Sequence, residues 1–325
     1  GDVNGDGLED LYLANAHNKR GHMFLQNKEG GYKEINKSVF ENDSIYEGIN
    51  AVFIDVDNDK DLDLFVASGG NEFKQGEVLL SDLIYINDGE GNFTRKLEAL
   101  PSIFENTSCV KPADFDNDGD IDLFVGGRSI SGNYGKSPKS YFLQNDGKGN
   151  FKEIPLPVDL ANLGMVTDAT WTDYNNDGWL DLIVVGEWMP ITLIKNQNGL
   201  FTNSSLTTIK NTEGWWNCII TDDFDNDGDI DVMAGNVGLN TRLHASIEIM
   251  TYYLEGKEYP FATKDLLSKQ MNFLKKKFTS YNSFSGTTME KLLEPDQLKG
   301  ALIKKASEFR TLYFENVGND EFVAH

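Results

Sequence analysis

Five times in 325 residues the chain repeats D-x-[DN]-x-D-[GK]-x-x-D, starting at Asp2, Asp55, Asp114, Asp173 and Asp223. The spacings are 53, 59, 59 and 50 residues. A period of this length marks an array of similar units, each hiding an apolar face against its neighbour. A short apolar run follows every motif, at 11–13, 64–66, 123–125, 182–185 and 232–234. Another run precedes it, as in Ala51-Val52-Phe53-Ile54. These runs are β-branched or aromatic and of strand length, so each acidic loop is expected to join two strands as a hairpin.

A second hairpin lies further along each unit. It reads FLQNKEGGYKEI at 24–35, YINDGEGNFTR at 85–95, FLQNDGKGNFKEI at 142–154, LIKNQNGLFTN at 193–203 and LYFENVGNDEF at 312–322. Asn, Asp and Gly supply the positive-φ positions that tight hairpins need. Two hairpins give four strands per unit. Four-stranded units repeated radially shield one another's edges, which predicts an all-β chain, a β-propeller of four-stranded blades. About five to six blades are expected within 1–325, with the hairpin at 312–322 completing a sixth that lacks an acidic loop.

The acid is concentrated. The chain carries a net charge of −23, and much of it sits in these loops. Such a balance excludes nucleic acid, whose phosphates need a basic face. Crowded carboxylates repel unless a cation lies among them. Hard cations such as Ca2+ take six to eight oxygens in a flexible cage. The first, third, fifth and ninth side chains and the seventh carbonyl can supply them. The expected ligands are Asp2, Asn4, Asp6, Leu8 and Asp10; Asp55, Asp57, Asp59, Asp61 and Asp63; Asp114, Asp116, Asp118, Asp120 and Asp122; Asp173, Asn175, Asp177, Trp179 and Asp181; and Asp223, Asp225, Asp227, Asp229 and Asp231.

An EF-hand would need a bidentate Glu at position twelve, where Leu13, Val66, Val125, Val184 and Ala234 stand. Zinc is disfavoured because no loop contains His or Cys. Mg2+ is disfavoured because it keeps several waters. About five Ca2+ are expected, tightest in the third and fifth loops, which combine four carboxylates with Gly at position six. The second loop is the most compromised, with Lys60 where the others carry Gly7, Gly119, Gly178 and Gly228.

These loops and hairpins resemble FG-GAP repeats, also called VCBS-type repeats, of the integrin α-subunit head. The phrases GEWMP and GNVGLN resemble large bacterial surface proteins of that class, related to cartilage acidic protein. The resemblance covers residues 1 to about 255 and returns at 311–325. It implies a propeller with Ca2+ in each first hairpin, and it does not imply integrin partners.

The pattern breaks after Asp231. A sixth loop is due near residue 280 and is absent, although 249–255 reads as the strand that would follow one. The segment 262–310 reads as a helical insertion within the last blade. Leu267, Met271, Leu274 and Phe278 share one helical face, and a second helix is expected from Pro295 to Ala306. The segment carries ten basic against five acidic residues, leaving −28 for the remainder. Its basic side either meets water or docks on the acidic propeller.

The acidic hairpins should share one face of the disc. The opposite face should gather Arg128, Tyr134, Glu187, Trp188, Asn236, Asn240 and Arg242 from connections between second and third strands, with Trp215 and Trp216 from a connection between blades. Flat rings beside charged forks suit a protein or glycan partner. The opposing reading packs Trp188 and Trp215 between blades. Cys109 and Cys218 occupy equivalent places in different repeats, so both are expected to be buried and unbridged.

The four histidines, His17, His22, His244 and His325, form no catalytic pattern, and the chain is expected not to be an enzyme. Its expected role is a calcium-binding adhesion module placed extracellularly, at the cell surface or in the periplasm. A calcium-dependent polysaccharide lyase and a purely structural spacer are the alternatives. No apolar run is long enough to span a membrane. The start at Gly1, inside a motif and without an apolar leader, reads as a fragment or mature segment.

Overall fold

Second strands that carry a run of consecutive apolar residues need cover on both faces, and that requirement builds the molecule. The computed structural model describes residues 1–238, 244–246, 249–254, 257–260, 262–298, 304, 306–318 and 320–325. Its strands are antiparallel and, apart from a small inserted sheet, fall into five successive units, the last two joined into one sheet by a short pairing. The first holds β1 (Leu11–Leu13), β2 (His22–Gln26) and β3 (Tyr32–Ile35). The second orders β4 (Gly48–Ile54), β5 (Asp63–Ser68), β6 (Leu83–Asn87) and β7 (Phe93–Arg95) side by side. The third repeats this with β8 (Asn106–Ala113), β9 (Asp122–Ser129), β10 (Tyr141–Asn145) and β11 (Phe151–Glu153). The fourth uses β12 (Met165–Thr172), β13 (Asp181–Met189), β14 (Thr192–Ile194) and β15 (Leu206–Thr208).

The period-two alternation of a strand sends successive side chains to opposite neighbours. On β5, Leu64 and Val66 pack toward the first unit, beside Met23 and Phe40. Phe65 and Ala67 pack toward the third, beside Leu123 and Val125. On β13, Leu182 and Val184 face the third unit, while Ile183 and Val185 face the fifth. All eight are essentially inaccessible. Full burial of such a side chain is worth roughly 1.5–3 kcal/mol. The units are therefore propeller-like blades stacked face to face.

The fifth blade corrects two expectations. It opens with β16 (Gly214–Asp222) and β17 (Asp231–Asn236). A detour follows through a small sheet of β18 (His244–Ser246), β19 (Ile249–Leu254) and β20 (Lys257–Pro260), then through short helices. The blade resumes with β21 (Leu312–Asn316) and β22 (Phe322–Ala324). Val232, Met233 and Ala234 pair with Phe314, Tyr313 and Leu312. The hairpin at 312–322 thus completes the fifth blade, not a sixth. The strand at 249–254 belongs to the inserted sheet and follows no acidic loop.

The helical segment is more broken than its periodicity implied. Leu267 and Leu274 lie on separate helices, Lys264–Gln270 and Leu274–Lys277, although both join one apolar cluster with Phe278, Met289, Leu292 and Leu293. Two further turns span Tyr281–Phe284 and Met289–Leu292. Only a 3-10 turn, Pro295–Leu298, stands where the second long helix was expected. Residues 299–303 and 305 of that expectation lie outside the described residues. Lys275 and Lys276 are exposed, while Lys277 pairs with Glu294 at 2.9 Å. The returning strand of the 193–203 hairpin comes later than expected, at Leu206–Thr208, because Thr202 and Ser205 close a capping box around an intervening 3-10 turn.

Cys109 is buried, as expected, and Cys218 is not. The difference lies in the blade. The third blade is covered on both faces, whereas the outer face of the fifth exposes Ile220 and Met233 beside Cys218.

Candidate metal centres

Each acidic loop is a tight turn between the first two strands of its blade. Two of its residues sit in the left-handed region. Position six has φ of 81° at Gly7, 95° at Gly119, 87° at Gly178 and 97° at Gly228, and Lys60 is held at 77°. Position four, which the sequence reading passed over, has φ of 69° at Gly5 and 58–64° at Asn58, Asn117, Asn176 and Asn226. Asn tolerates this region better than most residues. The turn is held by its own carboxylates. The position-six N–H donates to the first aspartate in every loop, at 2.8 Å for Asp2, 3.0 Å for Asp55 and Asp114, 2.8 Å for Asp173 and 3.1 Å for Asp223.

Positions one, three and nine converge. In the second, third and fifth loops, carboxylate oxygens of Asp55, Asp57 and Asp63, of Asp114, Asp116 and Asp122, and of Asp223, Asp225 and Asp231 lie within 4.8 Å of one another. The first and fourth loops place Asn4 and Asn175 at position three, so they offer two such carboxylates and an amide oxygen. The position-five aspartates turn one oxygen onto the position-seven N–H, as Asp118 does for Asp120 at 3.0 Å.

The donor set fits a hard cation. Asp122 is completely buried and its Oδ2 has no hydrogen-bond partner. Asp55 Oδ1, Asp57 Oδ1, Asp116 Oδ1 and Asn175 Oδ1 are also buried without a partner. Burial without a countercharge pushes the ninth-position carboxyls up, to about 6 at Asp63 and about 7 at Asp122 and Asp181, against backbone N–H bonds that pull them down. Unpaired buried oxygens of this kind are costly, and a cation among them would remove the penalty.

At the other end of the blades the expected aromatic and charged residues do meet. Glu187 is buried and accepts from Arg128 and from the Tyr134 hydroxyl. The Trp188 indole N–H donates to the same hydroxyl at 3.2 Å, and its ring lies 4.7 Å from that of Trp215. Trp188 has φ 59°, an unusual conformation for a bulky residue. Tyr134 is 47% exposed, and Arg128 and Trp215 are partly exposed.

Burial removes others from any surface role. Trp216 is fully buried between the fourth and fifth blades and donates to the Thr212 carbonyl. Trp188 is 6% exposed, so most of its ring is packing. Asn236 is half-buried and secures the returning chain at the Glu308 carbonyl. Asn240 and Arg242 lie outside the described residues.

The sequence reading missed one recurring residue. Asn87, Asn145 and Asn316 each end a third strand, Asn196 lies two residues beyond one, and the backbone N–H of all four holds the ninth-position aspartate of its own blade. The signal was present as an Asn in each copy of the second hairpin.

Three segments, 2–66, 55–125 and 173–234, match the profile of the FG-GAP-like repeat, together more than half of the chain. No curated protein matches it. Among solved structures it is similar to the V. cholerae biofilm matrix protein Bap1, at 17% identity and TM-score 0.38, over 80% of this chain and 36% of that one. It is also similar to an Agrocybe aegerita lectin that recognises non-reducing terminal N-acetylglucosamine, at 16% identity and TM-score 0.46, over 98% of this chain and 79% of that one. The chain therefore spans little more than a third of the length of Bap1. With its acidic loops repeated on successive blades, the chain belongs to the FG-GAP-like repeat family.

Proposed function

We propose that this chain is a calcium-binding repeat module that works outside the cytoplasm and binds a protein or glycan on the face opposite its acidic loops. The observation that carries the calcium reading is Asp122, a fully buried carboxylate with an unpartnered oxygen, clustered within 4.8 Å of carboxylate oxygens of Asp114 and Asp116. All five loops would hold an ion, about five per chain. Open, oxygen-only loops of this kind suit the calcium concentrations found outside cells. The module reading assigns no residue a catalytic role.

Partner binding rests on the cluster around Glu187. Its exposed edge offers the Tyr134 ring and the Arg128 guanidinium, both held in place by a buried carboxylate. Preset groups lose little freedom on binding. The Tyr134 hydroxyl is pushed up by desolvation and then by Glu187. Calcium counted by mass spectrometry on native chain should approach five ions at saturation, and two or fewer would defeat the reading. In a glycan and protein binding screen, Tyr134→Ala and Arg128→Ala should weaken capture with calcium content unchanged. Capture that survives both would remove this face from the proposal.

A further inference from the structure

One buried amide spans every interface between successive blades from the first to the fifth. Asn87, Asn145, Asn196 and Asn316 are each 5% exposed or less. The backbone N–H of each donates to Oδ1 of the ninth-position aspartate in its own blade, at 2.8, 2.8, 2.7 and 2.9 Å. The side-chain Nδ2 donates to two carbonyls at once. One is the eighth loop residue of the same blade, Leu62, Ile121, Leu180 or Ile230, at 3.0–3.2 Å. The other is the second loop residue of the preceding blade, Val3, Val56, Phe115 or Tyr174, at 2.7–2.8 Å. That second carbonyl lies between two ligand positions of the preceding loop. Val56, for example, is flanked by Asp55 and Asp57. One residue thus grips two successive acidic loops, its side chain holding a backbone carbonyl of each and its backbone N–H holding the carboxylate of its own blade.

We propose that these four asparagines couple the acidic loops, so that calcium loads them cooperatively along the stack of blades. The proposal rests on the calcium reading above. Filling one loop fixes its first three residues and therefore the carbonyl that holds the asparagine. The anchored side chain then fixes the asparagine's own backbone N–H on the next loop's ninth-position carboxylate, and less ordering remains for the second ion to impose.

The junctions are not equal. Asn58 Nδ2 also reaches Asp120 Oδ1 of the next loop at 2.5 Å, and Asn176 Nδ2 reaches Asp229 Oδ1 at 3.0 Å. The other two junctions cannot make this bond. Gly5 has no donor to offer Asp61, and Trp179 offers no acceptor to Asn117. Coupling should be strongest between the second and third loops and between the fourth and fifth.

Calorimetric titration of chelator-stripped full chain with Ca2+ tests this, on wild type, Asn145→Ala and Asn145→Asp. Wild type should bind with a Hill coefficient above one. Both variants should lose cooperativity at the second and third loops and weaken there about fivefold or more, within the usual range of coupling between sites. Independent sites in wild type would overturn the proposal. A lower melting temperature with an unchanged Hill coefficient would reduce Asn145 to packing and overturn it too. Absence of any calcium binding would instead defeat the calcium reading. If the Asn145 variants do not fold, Asp116→Ala serves, since it empties the third loop without touching an asparagine. The second loop should then bind calcium several-fold more weakly, and unaffected binding by the remaining loops would sink the proposal.

Discussion

Lys60 holds a backbone angle, φ 77°, that its four counterparts leave to glycine. A left-handed residue with a Cβ carries a penalty of about 1–2 kcal/mol, part of which glycine returns through its looser unfolded chain. Lys60→Gly also removes a positive charge from the loop. It should therefore tighten calcium at the second loop and raise the melting temperature, as calorimetry and a thermal melt would show. Gly119→Ala should do the reverse at the third loop, by about 1 kcal/mol. A Cβ there would meet open space, so any loss comes from the backbone angle alone. A third residue answers to pH. Asp82 accepts from the Ser68 N–H at 2.7 Å and the Thr107 hydroxyl at 3.2 Å, yet desolvation raises its carboxyl to about 7. The folded state then holds a proton that the unfolded chain releases near 3.8. Stability should fall as pH rises from about 4 to about 7 and level off above, by a few kcal/mol at most. Asp82→Asn in saturating calcium should flatten this slope in denaturant melts at successive pH values. An unchanged slope would mean that Asp82 titrates normally.

Elements were more legible than their partners. The phrase FLQN occurs at 24–27 and at 142–145, which invites an alignment of Asn27 with Asn145. Pairing sets them one residue apart. Leu11 faces Phe24 and Leu123 faces Leu143, so Gln26 takes the place of Asn145, and its N–H donates to Asp10. Register is decided across strands, where the blade's apolar face must match its neighbour. The same logic hid the fifth blade, because β17 and β21 lie far apart in sequence and nothing local links them. Their junction is tight, with the Gly238 N–H donating to the Phe309 carbonyl at 2.9 Å. The inserted helices have an apolar cluster of their own. Replacing 239–308 by Asn-Gly should therefore leave the fifth blade folded and its calcium loop working, with the melting temperature lowered by a few degrees at most. Loss of calcium at that loop alone would show that the insertion supports the blade.

For the whole molecule, the balance is between a net charge of −23 and the cations that offset it. A ligand bound only by the folded state adds about 2.7 kcal/mol per site at a hundredfold excess over its dissociation constant. Chelation should therefore lower the melting temperature sharply. Added NaCl should recover part of the loss by screening the exposed carboxylates, and less of it at the buried ones. A melt insensitive to EDTA would refute a structural role for calcium. The sequence by itself determined the repeat, the strand hairpins and the acidic positions of each turn, because such a loop is a local object. Its geometry needs nine consecutive residues, two of them able to adopt positive φ. Only the tertiary structure decided which strands share a blade, that Trp216 is core while Tyr134 is exposed, and that Cys218 is uncovered. Those outcomes depend on what packs against each face, and a chain read one residue at a time holds no record of its neighbours in space. The interblade asparagines belong to both accounts. Each copy was visible in the sequence, but its role depends on a carbonyl of the preceding blade, 81 to 142 residues away.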